Sequence, residues 1–369
     1  MILYIINILL ILLAWALPAS NNAGHGSSEE IERKKAKWTC IVGAVNWILL
    51  SGLRAYSVGA DTEGYYRSFQ NANSVPWQTL WDRFFAKYFT MADIPYKDVG
   101  YSIIEKLFRN ITDNYTVWLI FIAVVFTVPM AIYIYKYSKN ACISWILYST
   151  LFYSFFALTG HRQTIATAIV VWGGFELIRR RKLIPFLLLV AVGYTIHASV
   201  CCMIPFYWLS QIKVTQKRLW GYLAVIAASF ALRNQLLAFL QAIVGYEGYK
   251  QHIGATAGAF MFLLMAMVIY VAGFWRRISL SDNPVLNMSI NALMIAAFFS
   301  PLLLINPSMM RVVQYYSIFM LFIIPDLSLV FDKKSQNLFL LIVSIIMITL
   351  LLLQTPQYSF FFMQKGILK

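Results

Sequence analysis

The stretch GHRQTIATAIVVWGGFELIRRRKLIPFLLLVAVGYTIHASV, residues 160–200, decides the fold. Two apolar runs, 164–178 and 183–197, flank the cationic cluster Arg179–Lys182, and neither run alternates apolar with polar residues. A membrane barrel strand would alternate, because one face meets lipid and the other the lumen. Backbone in lipid must satisfy its own hydrogen bonds, so continuous runs of this kind read as helices. The cluster then marks one membrane face.

The rest of the chain agrees. Of its 369 residues 60% are hydrophobic and 12% charged, against roughly 45–50% and 25% in a soluble domain. That apolar content fills about eleven or twelve spans of ~20 residues. A soluble enzyme, a disordered chain and a secreted disulfide scaffold are excluded. The net charge of +15 comes from short Lys/Arg clusters between apolar runs, not from one basic face, so nucleic acid is not the expected partner. Cys40, Cys142, Cys201 and Cys202 all lie in apolar runs without ligand-like spacing and read as packing residues.

Twelve candidate spans follow: 1–18, 38–53, 115–135, 141–159, 164–178, 183–197, 198–210, 219–232, 259–275, 285–305, 312–331 and 337–354. The expected class is thus an all-α polytopic membrane protein of about twelve transmembrane helices, residues 1–369 forming a single transmembrane domain. The first run has no basic residue before it, whereas Arg33, Lys34, Lys35 and Lys37 follow it, so it reads as a retained span with an external N-terminus. With that start the short inside loops carry the larger share of Lys and Arg, as the positive-inside rule requires. Both termini are then expected outside. Parity between Arg179–Lys182 and the later Lys213, Lys217 and Arg218 requires two short segments meeting near His197 rather than one long span. Outside the spans lie a long extracytoplasmic loop, 54–114, and a shorter one, 233–258.

Ionisable groups at span ends on one face are the first functional candidates, since they are costly against hydrocarbon. Arg54, Arg162, His197 and Arg311 qualify. Arg162 and Arg311 each stand at the start of a helix, where free N–H groups and the helix dipole favour an anion. A guanidinium adds a planar fork matched to phosphate oxygens. The alternative is that these arginines snorkel to headgroups or pair with the long loop's carboxylates. His197 suits a general base near neutral pH, or else a packed, hydrogen-bonded helix end. His161 competes for the same role, while His25 and His252 stand in polar loops. Asp61 and Glu63, bracketed by Gly59 and Gly64, are the nearest acids, and an Asp so placed also reads as a turn residue. Tyr56, Tyr65, Tyr66 and Tyr101, with Trp77 and Trp81, could stack on sugars, but the interfacial aromatic belt is the preferred reading. No GxxxxGK, HExxH, GxSxG or dinucleotide fingerprint occurs. No metal site and no cofactor are expected.

The segments GLRAYSVGADTEGYYRSF, DVGYSIIEKLF, the 160–200 stretch and RVVQYYSIFMLFIIP together resemble the EpsG-like membrane proteins of exopolysaccharide gene clusters. The pattern falls on Arg54, Gly59, Asp61 and Tyr65, on Gly100 and Tyr101, on Arg162 and Gln163, on His197 and Ser199, and on Arg311. His161 and Ile196 depart from the pattern without removing a polar group.

The resemblance implies an O-antigen-polymerase-like (Wzy-type) membrane glycosyltransferase of the cell inner membrane. It would join undecaprenyl-pyrophosphate-linked oligosaccharide repeats on the outer face in capsule, exopolysaccharide or O-antigen biosynthesis. Partners would be those lipid-linked repeats, membrane lipids, and a chain-length regulator and flippase of the same pathway. Arg54, Arg162 and Arg311 would bind pyrophosphate, His197 would be the base with Asp61 second, and Gln163, Tyr65 and Tyr101 would support them. Two alternatives stay open: a lipid-linked oligosaccharide flippase or transporter, and a membrane acyltransferase that modifies a surface polysaccharide.

Overall fold

The computed structural model describes residues 1–20, 27–91, 95–244, 255–279, 283–354 and 357–363. His25, His252 and residues 245–254 of the shorter loop lie outside the described residues. In chain order the helices are α1 (Ile2–Ser20), α2 (Ser28–Gly52), α3 (Thr62–Asn71), α4 (Trp77–Tyr88), α5 (Val99–Arg109), α6 (Tyr115–Tyr137), α7 (Ala141–Leu147), α8 (His161–Thr167) and α9 (Phe175–Arg179). They continue with α10 (Leu183–Ile196), α11 (Phe206–Leu209), α12 (Gln216–Ala231), α13 (Arg233–Val244), α14 (Ala255–Ile278), α15 (Leu286–Phe299), α16 (Met310–Ser317), α17 (Met320–Leu327) and α18 (Lys333–Leu353). Among the described residues there is no β-sheet, only one antiparallel bridge between Arg54 and Phe360.

Among the described residues four helices are long and apolar enough to cross a membrane: Tyr115–Tyr137, Gly258–Ile278, Leu286–Leu304 and Lys333–Leu353. Two bent pairs, Gln216–Ala231 with Arg233–Gln241 (80°) and Pro307–Ser317 with Met320–Val330 (61°), raise the number to six if each is one span. Of the other apolar runs, 1–18, 38–53 and 183–197 each fall in one helix, α1, α2 and α10, while 141–159, 164–178 and 198–210 are divided into shorter pieces. Around α8 the backbone widens into π-turns at Tyr148–Phe152, Ser154–Thr159 and Ala168–Trp172, so runs 141–159 and 164–178 do not form single uniform α-helices. Such bulges are frequent at functional sites. The junction expected near His197 is present. That residue ends α10 in extended conformation (φ −156°, ψ 109°) and a 3₁₀ turn, Ala198–Met203, follows.

Packing divides the chain into two compact units that interleave in sequence: Met1–Lys136, Trp145–Cys201 and Ile345–Lys369 form the first, Tyr137–Ser144 and Cys202–Ser344 the second. No linker composition marks this division because each unit is built from separated segments.

In unit one, Ser27 caps α2 by accepting from Glu30 N–H at 3.2 Å, and Glu29 and Glu30 sit at the positive end of its dipole. The fully buried Trp47, Trp118, Trp145 and Trp172 fill the interior, with Trp47 Nε1 donating to Ser149 Oγ at 2.9 Å. Such a partner offsets the cost of taking the indole N–H out of water. Residues 53–55 pair with the tail: Ala55 N–H donates to Ser359 C=O at 2.8 Å and Phe361 N–H to Leu53 C=O at 3.0 Å.

The segment between α2 and α6 folds on itself. Lys106, buried, donates its Nζ to Val75 C=O at 2.6 Å and to Asn73 C=O at 3.3 Å, closing the turn before α4. Leu80, Val99 and Ile103 form a small core that joins α4 to α5. Gly100 then permits α5 to meet the end of α10, since a Cβ there would overlap the Thr195 side chain and approach its carbonyl to 2.8 Å. Tyr88 Oη reinforces the contact by donating to Thr195 C=O at 3.1 Å. Gly100→Val should therefore lower stability by about 1–3 kcal/mol, the usual cost of overpacking. Thermal unfolding of the purified protein checks this.

Unit two is tied by side-chain amides to helix-end carbonyls. Asn287 Nδ2 donates to Ser210 C=O (3.1 Å) and Ile212 C=O (3.0 Å), and its Oδ1 accepts from Val214 N–H (2.8 Å). Asn283 Nδ2 donates to the buried Asp326 carboxylate at 2.6 Å. These bonds satisfy groups that water cannot reach.

Candidate functional site

Three segments of unit one bring the polar groups together. The first is the loop after α2, where Arg54 is only 2% exposed. Its Nη1 donates to the Ser51 carbonyl and to Ser51 Oγ, and its Nη2 lies 2.7 Å from His161 Nε2. The guanidinium can only donate, so Nε2 is the acceptor and the proton of His161 sits on Nδ1. That Nδ1 is buried without a partner, as is Arg54 Nε. No acidic side chain among the described residues pairs with Arg54.

The second segment is α8, where His161 and Arg162 form the first turn behind Gly160. Tyr65 from α3 stacks on the His161 ring with centroids 4.3 Å apart and planes at 16°. The Arg162 guanidinium lies 5.6 Å from the Tyr65 ring centre and 5.3 Å from that of Tyr101. These π faces favour a cation. Gln163 is buried on the same helix.

The third is the α5–α10 contact. Asp98 stands ahead of α5 in the left-handed region (φ 54°) and leaves that helix uncapped by its side chain. Its Oδ2 instead accepts from Arg162 Nη1 at 3.1 Å and lies 3.4 Å from His197 Nδ1. Burial would raise the Asp98 carboxyl, but the hydrogen bond and charge of His197, with the charge of Arg162, hold it below the usual carboxylate range. A carboxylate at Nδ1 fixes the tautomer in which Nε2 carries the lone pair. His197 Nε2 is buried and has no partner.

Glu105, one turn beyond Tyr101, is also buried, with Oε2 accepting from Ser68 Oγ at 2.6 Å and Oε1 unpartnered. Burial pushes its carboxyl up to about 7, with the Ser68 hydroxyl partly offsetting this. A raised folded-state value stabilises the fold below the unfolded value of 4.5, and that contribution is lost as pH rises to about 7. Glu105→Gln should remove this loss. Its thermal stability relative to the natural chain should rise between pH 5 and pH 8, by up to about 3 kcal/mol.

The structure thus joins Arg54, Arg162, His197, Tyr65 and Tyr101 in one cluster within unit one. Asp61 stands apart from it. Gly59 (φ 111°) and Asp61 (φ 62°) make a tight turn in which a Cβ on Gly59 would come within 2.5 Å of Leu158 C=O. The turn leaves the Asp61 carboxylate exposed while its carbonyl accepts from Tyr65 N–H at 3.2 Å, and Glu63 pairs with Arg67 at 3.5 Å. Arg311 belongs to unit two, half-buried in the first turn of α16. Two members were not singled out from sequence. Asp98 was visible only as the acid directly before Val-Gly-Tyr, and Glu105 only as the residue one helical turn after Tyr101.

A helical membrane protein with a buried, carboxylate-free arginine beside an Asp–His pair is the class these observations define. The EpsG family model matches residues 37–365, and the chain belongs to the EpsG family. Membership associates it with a polymerase-like role in polysaccharide biosynthesis. No curated protein and no solved structure matches the chain.

Proposed function

We propose that the chain is a Wzy-type polymerase that joins oligosaccharide repeats carried on polyprenyl pyrophosphate, at the outer face of the bacterial inner membrane. Its shorter apolar helices would then complete an arrangement of about twelve crossings. The observation that carries this reading is Arg54: a buried cation without a counter-charge is costly, and a pyrophosphate offsets that cost. His161 Nδ1–H is a second unpaired donor beside it.

Asp98 and His197 supply the complementary half. The acceptor sugar's hydroxyl proton passes to His197 Nε2 while its oxygen attacks the donor's anomeric carbon. The bond from that carbon to the pyrophosphate oxygen breaks, and the leaving oxygen keeps the electron pair. Arg54 and His161 meet the charge developing there, and Asp98 stabilises the imidazolium. Arg162 is tied to Asp98, so in this scheme it orients the base as well as adding positive charge. Tyr65 and Tyr101 hold its guanidinium plane. Arg311→Ala tests separately whether unit two supplies a further cation to the substrate.

The lipid-linked pool of a deletion strain tests the proposal. A lost polymerase leaves single repeats on their carrier at the outer face. A lost flippase would trap them inside, and a lost acyltransferase would leave polymer length intact. Either of the last two results overturns the assignment.

A further inference from the structure

Outside the site, α4 is the most one-sided element of the loop. Leu80 is buried, and Trp77, Phe84 and Tyr88 pack with it on the core shared with α5. At about 100° per residue these side chains occupy one quarter of the helix circumference. Trp81, Phe85 and Phe89 follow on the adjoining quarter, 45%, 53% and 71% exposed. Their rings touch in sequence, at 6.4 Å between Trp81 and Phe85 and 5.3 Å between Phe85 and Phe89. Met91, 86% exposed, extends the patch. The remaining arc carries Thr79, Asp82, Arg83 and Ala86. The apolar arc is therefore about twice as wide as its protein partner covers.

What covers the rest is indicated by continuity. Ile184, Leu188 and Val192 form an outward stripe on α10, 74%, 63% and 52% exposed, which a membrane protein turns to lipid. Tyr88 of α4 meets Tyr194 of that helix with ring centroids 5.9 Å apart, so the two apolar faces adjoin. Asp82 borders the exposed arc, whereas Arg83 and Lys87 project from the far side of the helix, where Arg83 lies over the Tyr96 ring, 3.6 Å from its centroid. A helix with exposed aromatic residues along one face and charged residues on the other suits the headgroup boundary, with its apolar face about 5–10 Å deep.

We infer that α4 is an interfacial helix whose Trp81–Phe85–Phe89 face is seated in the membrane surface. Through Tyr88 and Thr195 this seat sets the height of the Asp98–His197 pair relative to the headgroups.

Nitroxide labels on single cysteines placed at Trp81, Phe85 and Phe89, and at Asp82 and Ala86, test the inference. The full chain is reconstituted in vesicles of phosphatidylethanolamine with phosphatidylglycerol, and the unsubstituted chain gives the background from Cys201 and Cys202. Collision with oxygen relative to a water-soluble nickel chelate should be several-fold higher at the first three positions than at the last two. Equal nickel access at all five would overturn it, as would low access to both reagents at Trp81, Phe85 and Phe89, the signature of a protein cover such as a second copy. Trp81, Asp82, Phe85 and Phe89 are exposed and Ala86→Cys is a small change at a half-buried position, so the substitutions leave the fold intact.

Discussion

Cells whose sole copy carries His197→Ala are expected to make no long polymer and to accumulate single lipid-linked repeats, with the variant present in membranes at normal amount. Loss of a general base costs about 10²–10⁴-fold in rate, more than enough to abolish chains of many repeats. The expectation rests on geometry. His197 Nδ1 faces Asp98 at 3.4 Å, and the opposite ring nitrogen is buried and unengaged. Asp98→Asn should give an intermediate defect, because an amide can still occupy the position but cannot stabilise a charged imidazolium. Wild-type chain length from His197→Ala would remove the base from the mechanism.

Arg54 should show the opposite balance between stability and activity from an ordinary buried residue. Arg54→Met is expected to abolish polymerisation while thermal stability stays equal or rises, since the substitution removes a buried charge that no acidic side chain compensates. Arg54→Lys keeps the charge but loses the planar fork that reaches Ser51 and His161 together. A loss of about 10²–10³-fold in rate is expected, the usual cost of one preplaced donor at a developing oxyanion. The readouts are thermal unfolding in detergent and repeat number on extracted glycans. A Met variant that unfolds at much lower temperature yet polymerises normally would make Arg54 a structural residue.

The sequence carried the fold class plainly, because apolar runs with few charges leave the backbone little choice but helix. It did not carry the subdivision of those runs. The π-turns on both sides of α8 depend on tertiary contacts such as Thr164 Oγ1 with Phe156 C=O, 3.0 Å apart, and hydropathy is blind to them. At the site, Arg54, Arg162 and His197 were legible as costly polar groups at span ends. Asp61, the acid second in line after His197, stands exposed in its glycine-bracketed turn, while Asp98, more than 60 residues before Arg162, supplies the carboxylate within the cluster. A residue's value to a constellation depends on what the chain folds beside it, and the Gly100–Thr195 approach has no local signature.

The pairing of Leu53 and Ala55 with Phe361 and Ser359 has a consequence for biogenesis. Backbone groups on either side of Arg54 wait for a segment translated some three hundred residues later, so this loop reaches its final form only once that segment is made. On the proposed function, a nascent chain lacking that segment would not yet present a finished Arg54 site to lipid-linked sugar.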